Sequence, residues 1–126
     1  CGCGGAGHLE EAASADWLER RAKAAGLPAD FKSLWQMRAA PEAEAIISPA
    51  LEALARGIAS ITVTLDPEAV ILSGGMSRAD GLAEELAARA QKYLPAPFRP
   101  YFTLKTSSLS GEAAVIGAAS LFRESL

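Results

Sequence analysis

The sequence predicts an α/β chain, helix-rich and carrying a partial parallel sheet. Three observations carry this. An apolar stripe of Ile47, Leu51, Leu54, Ile58, Ile61 and Leu65 steps by four and three residues, the spacing of one long amphipathic helix. The short apolar run 69–72 ends in Ser73-Gly74-Gly75, which reads as a buried strand entering a tight turn. After residue 41 the order is helix, strand, helix, strand, helix, and strands joined through a helix pair in parallel with a right-handed crossover. Two strands make a poor sheet alone, so the remaining strands are expected from a preceding part of the protein.

Taken in order, residues 1–10 form a Gly-rich loop able to place ligands around a centre. A helix over 11–25 follows, with Trp17, Leu18, Arg21 and Ala22 on its inner side, and Gly26-Leu27-Pro28 ends it. Residues 31–40 form a short helix with Phe31, Leu34, Trp35 and Arg38 at helical spacing and Asp30 as its N-cap. Pro41 suits the first turn of the long helix, and Pro49 should bend that helix or mark its true start. Asp66-Pro67 is a stop signal. A helix from Asp80 carries Leu82, Leu86, Ala90 and Tyr93 on one face. Pro95, Pro97 and Pro100 make a stiff connector, 101–106 alternates as a strand, 107–111 is a turn and 112–125 a final helix.

Composition narrows the class. Half of the 126 residues are hydrophobic and only 6% are aromatic, which suits packed helices over a disulfide mini-protein. Net charge is −3 with no Lys/Arg cluster, which argues against a nucleic-acid surface. No apolar run approaches membrane-spanning length and no secretory signal is visible. The first residue is Cys rather than Met, and a ligand motif starts on it, so the chain reads as the C-terminal part of a longer protein.

The most specific motif is Cys1-Gly-Cys3-Gly-Gly-Ala-Gly-His8-Leu-Glu10. A disulfide between cysteines one residue apart would close a strained ring, so metal ligation or redox chemistry is the better reading, and both fit a reducing cytoplasm. Zinc takes sulfur and nitrogen ligands in tetrahedral sets; Cys1, Cys3 and His8 supply three, and the glycines let the backbone wrap tightly. The alternative is a Gly-rich end with two incidental thiols. Glu10 is either an acid in the first turn of a helix, where it suits the dipole, or a binding carboxylate. The second motif is Val70-Ile-Leu-Ser-Gly74-Gly75-Met-Ser77. Paired glycines let a ligand approach the backbone closely, or simply make the turn; neither GxGxxG spacing nor a Walker lysine is present.

The first motif resembles the signature of the ROK family of repressors, open reading frames and kinases, Cys-x-Cys-Gly-x-x-Gly-Cys-x-Glu. Cys1, Cys3, Gly4, Gly7 and Glu10 match in register, and His8 stands where the third cysteine is usual. The run 70–77 resembles the adenosine motif of actin-like sugar kinases, and 109–119 resembles the family's last segment, with Ser110 where a glycine is frequent and Gly117 expected to allow close helix packing. Ser14 matches a serine common in the family, with a role in helix geometry. The resemblance spans essentially the whole chain.

The resemblance implies the C-terminal part of an actin-like ATPase (ribonuclease H-like) lobe: a zinc-binding loop at 1–10, a helical region at 11–66 and a nucleotide-side subdomain at 67–126. It implies a cytoplasmic, ATP-dependent kinase of a hexose or N-acetylhexosamine, glucokinase-like or N-acetylmannosamine kinase-like, using magnesium and a structural zinc. Glu10 would bind the sugar, Gly74 and Gly75 the adenosine side, and Cys1, Cys3 and His8 the zinc, with an upstream histidine as fourth ligand. No catalytic residue is found in this chain, since the base would be an aspartate of the missing N-terminal lobe; the chain alone should not phosphorylate anything. The partners implied are the sugar, ATP, that lobe and a second copy of the chain, with the long helix as one participant, and no membrane. A sugar-responsive repressor of the same family is the alternative, and only there would nucleic acid be a partner.

Overall fold

The computed structural model describes residues 1–109 and 112–123. Among these described residues six helices and two short strands follow in the order α1 (Glu10–Ala13), α2 (Ala15–Ala24), α3 (Phe31–Gln36), α4 (Pro41–Leu65), β1 (Val70–Leu72), α5 (Leu82–Gln91), β2 (Leu104–Thr106) and α6 (Ala113–Arg123), with a 3-10 turn at Met76–Arg78 before α5.

The helix expected over 11–25 is two helices. Ser14 is extended (φ −77°, ψ 158°), ends α1 and caps α2, its hydroxyl accepting from the Trp17 N–H at 3.1 Å. A serine oxygen competes with the backbone for nearby donors, so it breaks a helix as readily as it starts one. Leu18 and Ala22 are buried as expected, but Arg21 is exposed and lies over the Trp17 ring. Gly26 closes α2 at φ +71°. Its N–H and that of Leu27 reach back to the Lys23 and Ala22 carbonyls, the paired bonds of a glycine-terminated helix.

Asp30 caps α3, accepting from the Ser33 N–H at 2.8 Å. That bond holds its carboxyl below the ordinary value. A depressed folded-state pKa contributes stability above the unfolded pKa and loses it as pH falls through the folded one. The melting-temperature advantage of wild type over Asp30→Asn is therefore expected at neutral pH, should begin to shrink as pH falls below about 4 and should be lost as pH falls through the lower folded-state pKa. A pH-independent difference would assign the effect to something other than the carboxylate. The helix stops at Gln36, four residues short of its expected end, and Arg38 is exposed, stacked on Trp35.

α4 starts at Pro41 and runs through Pro49 as one helix, so Pro49 does not mark its start. Ala43, Ile46, Ile47, Ala50, Leu51, Ala55, Ile58, Ala59 and Thr62 are its buried residues, and the Thr62 hydroxyl is satisfied by the Ile58 carbonyl at 2.8 Å. In the predicted stripe Ile47, Leu51 and Ile58 are buried and Leu54 half-buried, whereas Ile61 is 48% and Leu65 70% exposed; at this end of α4 the buried face has moved to Ala59 and Thr62. By length and composition α4 could cross a membrane, contrary to the expectation that no run reaches that length; within the fold it packs as a core helix against α1, α2, α3 and α5.

α5 packs chiefly on α4 through Leu82, Leu86 and Ala90, while Tyr93 stays largely exposed and donates to Glu52. Arg89 ties the same seam, reaching Glu85 (2.8 Å), the Ser48 hydroxyl (3.0 Å) and Glu52 (3.3 Å). The strands pair in parallel, Val70 with Leu104, Ile71 with Lys105 and Leu72 with Thr106. β1 is not the buried strand expected: Val70 and Leu72 are half-buried against the core and Ile71 is 54% exposed, since one face of the sheet is uncovered. β2 is shorter than the 101–106 run, whose first residues belong to the turns of the proline connector. Gly117 of α6 faces open space, not a packed neighbour. Ser110, Gly111 and Ser125, named in the sequence reading of the tail, lie outside the described residues.

Candidate functional site: a thiol–imidazole triad and a glycine turn

The loop before α1 folds back on itself. Gly4 (φ +80°) and Gly7 (φ +77°) supply conformations that side chains resist, and the Gly4 N–H closes a turn on the Cys1 carbonyl at 2.9 Å. This brings the three predicted ligands together. Cys1 Sγ and Cys3 Sγ are 3.3 Å apart, and His8 Nδ1 lies 3.3 Å from Cys3 Sγ and 3.4 Å from Cys1 Sγ. Both cysteines are free thiols. Two sulfurs and an imidazole nitrogen in mutual contact are a donor set that zinc accepts. At Gly5 a Cβ would fall 2.6 Å from His8 Cε1, so this part of the loop is shaped around the ring. On both counts the residues fit a metal ion.

Glu10 opens α1 beside this triad, and the Cys1 thiol donates to its Oε2 at 3.2 Å. Glu11, which the sequence reading passed over, secures the loop instead: its carboxylate accepts from the Gly7 N–H at 2.8 Å. A second anchor was also missed. Leu9 rests over Gly57 of α4, where a Cβ would stand 3.0 Å from Leu9 Cδ2. A glycine inside a long helix is the signal that could have found it, since it costs helix stability unless something approaches closely.

Gly74 and Gly75 lie at the end of β1. Gly74 takes φ +100°, so its lack of a side chain is required by the turn, whereas Gly75 is helical in φ and ψ and leads into the 3-10 turn. Nothing crowds either glycine; both leave open backbone. Gly75 borders a cavity of about 720 Å³ whose wall includes Phe31, Lys32, Trp35, Arg38 and Arg78. Cys1, Cys3, His8 and Glu10 do not line it. The structure brings the ligand triad and Glu10 together, and the glycine turn borders a cavity that none of them lines.

One bond braces the segment that leads from the 3-10 turn into α5. Buried Trp35 donates its Nε1–H to the Asp80 carbonyl at 2.9 Å, with Arg38 stacked on the ring at 4.7 Å. Trp35→Phe keeps the ring but orphans that carbonyl. It is expected to cost about 1–3 kcal/mol and to speed amide exchange in 79–82; unchanged exchange there would deny the bracing role.

Comparison with known proteins connects these features. The model of the ROK family matches residues 1–125. A glucokinase of Thermotoga maritima is 32% identical over 98% of this chain and 45% of its own length. An N-acetylmannosamine kinase of Vibrio cholerae is 30% identical over 98% of this chain and 43% of its own. Among solved structures, a ROK hexokinase from Thermus thermophilus superposes with a TM-score of 0.78 at 33% identity, over 94% of this chain and 41% of that one. A ROK family glucokinase from Streptomyces griseus, solved with glucose and AMPPNP, gives 0.78 at 26% identity, over 96% and 46%. The chain spans less than half the length of these relatives, and its helix-rich body with a small parallel sheet is part of their actin-like fold. A match of family model, sequence and fold over nearly every residue leaves one conclusion: this chain belongs to the ROK family.

Proposed function

We propose that the full-length protein is an ATP-dependent sugar kinase acting on a hexose or an N-acetylhexosamine. This chain would be the C-terminal part of its lobe, with the loop at 1–10, the helical region at 11–66 and the nucleotide side at 67–126. The observation that carries the reading is the similarity, across almost the whole chain, to a glucokinase and an N-acetylmannosamine kinase. The S. griseus glucokinase bound to glucose and AMPPNP supports the same pair of ligands, a sugar and ATP; magnesium is the cation that phosphoryl transfer from ATP would use.

Within that reading Cys1, Cys3 and His8 would hold a structural zinc that shapes the sugar side of the cleft. Thiols lose their protons on binding a metal. Cys1 would then cease to donate to Glu10, leaving the Glu10 carboxylate free to accept from adjacent sugar hydroxyls. Gly74 and Gly75 would let the adenosine approach the backbone. The γ-phosphorus bonds to the sugar hydroxyl oxygen as its bond to the β–γ bridging oxygen of ATP breaks. The hydroxyl proton passes to a base that lies outside this chain.

The test is ADP release by the full-length protein with ATP and magnesium over glucose, fructose, mannose, N-acetylglucosamine and N-acetylmannosamine. Turnover on one of them is expected. A silent panel from folded, metal-loaded protein would defeat the kinase reading in favour of a sugar-responsive repressor.

A further inference from the structure

We propose that Gly5 is what allows an imidazole to serve as the third donor of the triad: Gly5 and His8 form a matched pair, in which the missing side chain of one makes room for the ring of the other. The inference rests on the metal reading of Cys1, Cys3 and His8 and deepens it by naming a residue that fixes the chemistry of the donor set.

The four loop glycines separate cleanly by what they do. A Cβ on Gly2, Gly4 or Gly7 would meet nothing within 4 Å. Gly4 and Gly7 are needed for their left-handed backbone instead. Gly5 is the reverse case. Its φ lies outside the left-handed region, so an alanine is compatible with the backbone, but its Cβ would stand 2.6 Å from His8 Cε1 and 3.1 Å from His8 Nε2. Non-bonded carbons settle at about 3.5–4.0 Å.

His8 is exposed and the clashing atoms are the far end of its side chain, so the ring can escape that contact only by leaving its place at the triad. Its Nδ1 is 3.3 and 3.4 Å from the two sulfurs, and a rigid five-membered ring held there carries Cε1 and Nε2 along with it. The Gly5 N–H also points at Cys3 Sγ, at 3.4 Å, which keeps the Gly5 backbone against the triad. A thiol at position 8 would end at its sulfur and project no atoms beyond the donor. In the family pattern position 8 is a cysteine and position 5 is unspecified. In this chain the space left by Gly5 is taken by the His8 ring. One thiolate fewer also changes the charge: two thiolates neutralise a divalent ion, and three would leave it negative.

Four full-length proteins test this: wild type, Gly5→Ala, His8→Cys and the double variant. Zinc affinity is read by competition with a chelator, and the number of thiolates by the ligand-field bands of the cobalt(II) form. Gly5→Ala is expected to weaken zinc by about 10- to 100-fold, the scale on which groups that orient a ligand act. In the His8→Cys background the same change should leave affinity within about twofold. The cobalt bands should move to longer wavelength in His8→Cys as a third thiolate joins. Equal affinity of wild type and Gly5→Ala would overturn the pairing. So would the same loss in both backgrounds, which would place the effect in the loop and not in the ring. A wild type that takes up no metal would instead overturn the metal reading beneath it.

Discussion

Full-length protein carrying Glu10→Ala is expected to lose about 100-fold or more of its sugar-dependent ADP release, on the basis that two charge-assisted hydrogen bonds are worth at least ~3 kcal/mol together. The loss should fall on the sugar and not on the nucleotide: the KM for ATP should hold while the KM for sugar rises or turnover disappears. Glu10 is singled out because it begins α1 directly after the loop that gathers Cys1, Cys3 and His8, and because its Oε2 already accepts from the Cys1 thiol. A variant at wild-type rate on its preferred sugar would remove Glu10 from the site. Loss with an unchanged sugar KM and a raised ATP KM would place it on the wrong ligand.

Leu86→Ala is expected to give the largest loss of stability of any single truncation in α5, about 2–5 kcal/mol. Leu86 is 1% exposed and sits at the centre of the α4–α5 seam, between Leu82 and Ala90. Arg89 bonds along the same seam to residues of both helices, so the backbone has little freedom to collapse into the space left behind. Urea denaturation of the full-length protein measures the effect. A midpoint unchanged from wild type would mean that α5 does not depend on α4 for its place.

The residues that announce themselves by type and spacing were legible. Cys1, Cys3 and His8 were grouped from sequence and do converge. Asp30 was read as a cap and is one. The parallel pairing of β1 and β2 followed from the helix between them. What was not legible depends on what lies opposite. Ile61 and Leu65 continue the α4 stripe in register, but register does not reveal which face of the last turns is covered, and there it is Ala59 and Thr62 that are buried. Ser14 sits in an alanine-rich run that favours helix, and its break is decided by one hydroxyl bond to Trp17. Gly5, Gly57 and the Trp35–Asp80 bond each involve a partner whose approach is a product of the fold. By position alone Glu10 was either an ordinary acid at a helix start or a binding carboxylate, and only the family resemblance favoured the second.

The spacing of contacts along the chain also has a meaning in time. The triad lies wholly within the first eight residues, so its closure involves a short loop and costs little chain entropy. Val70 meets Leu104 only once α5 and the proline connector have been laid down and folded back. Local elements close early and distant pairings late. The ligand loop can therefore take shape while the rest of the chain is still a coil, and the strand that carries the glycine turn is among the last parts to find its partner.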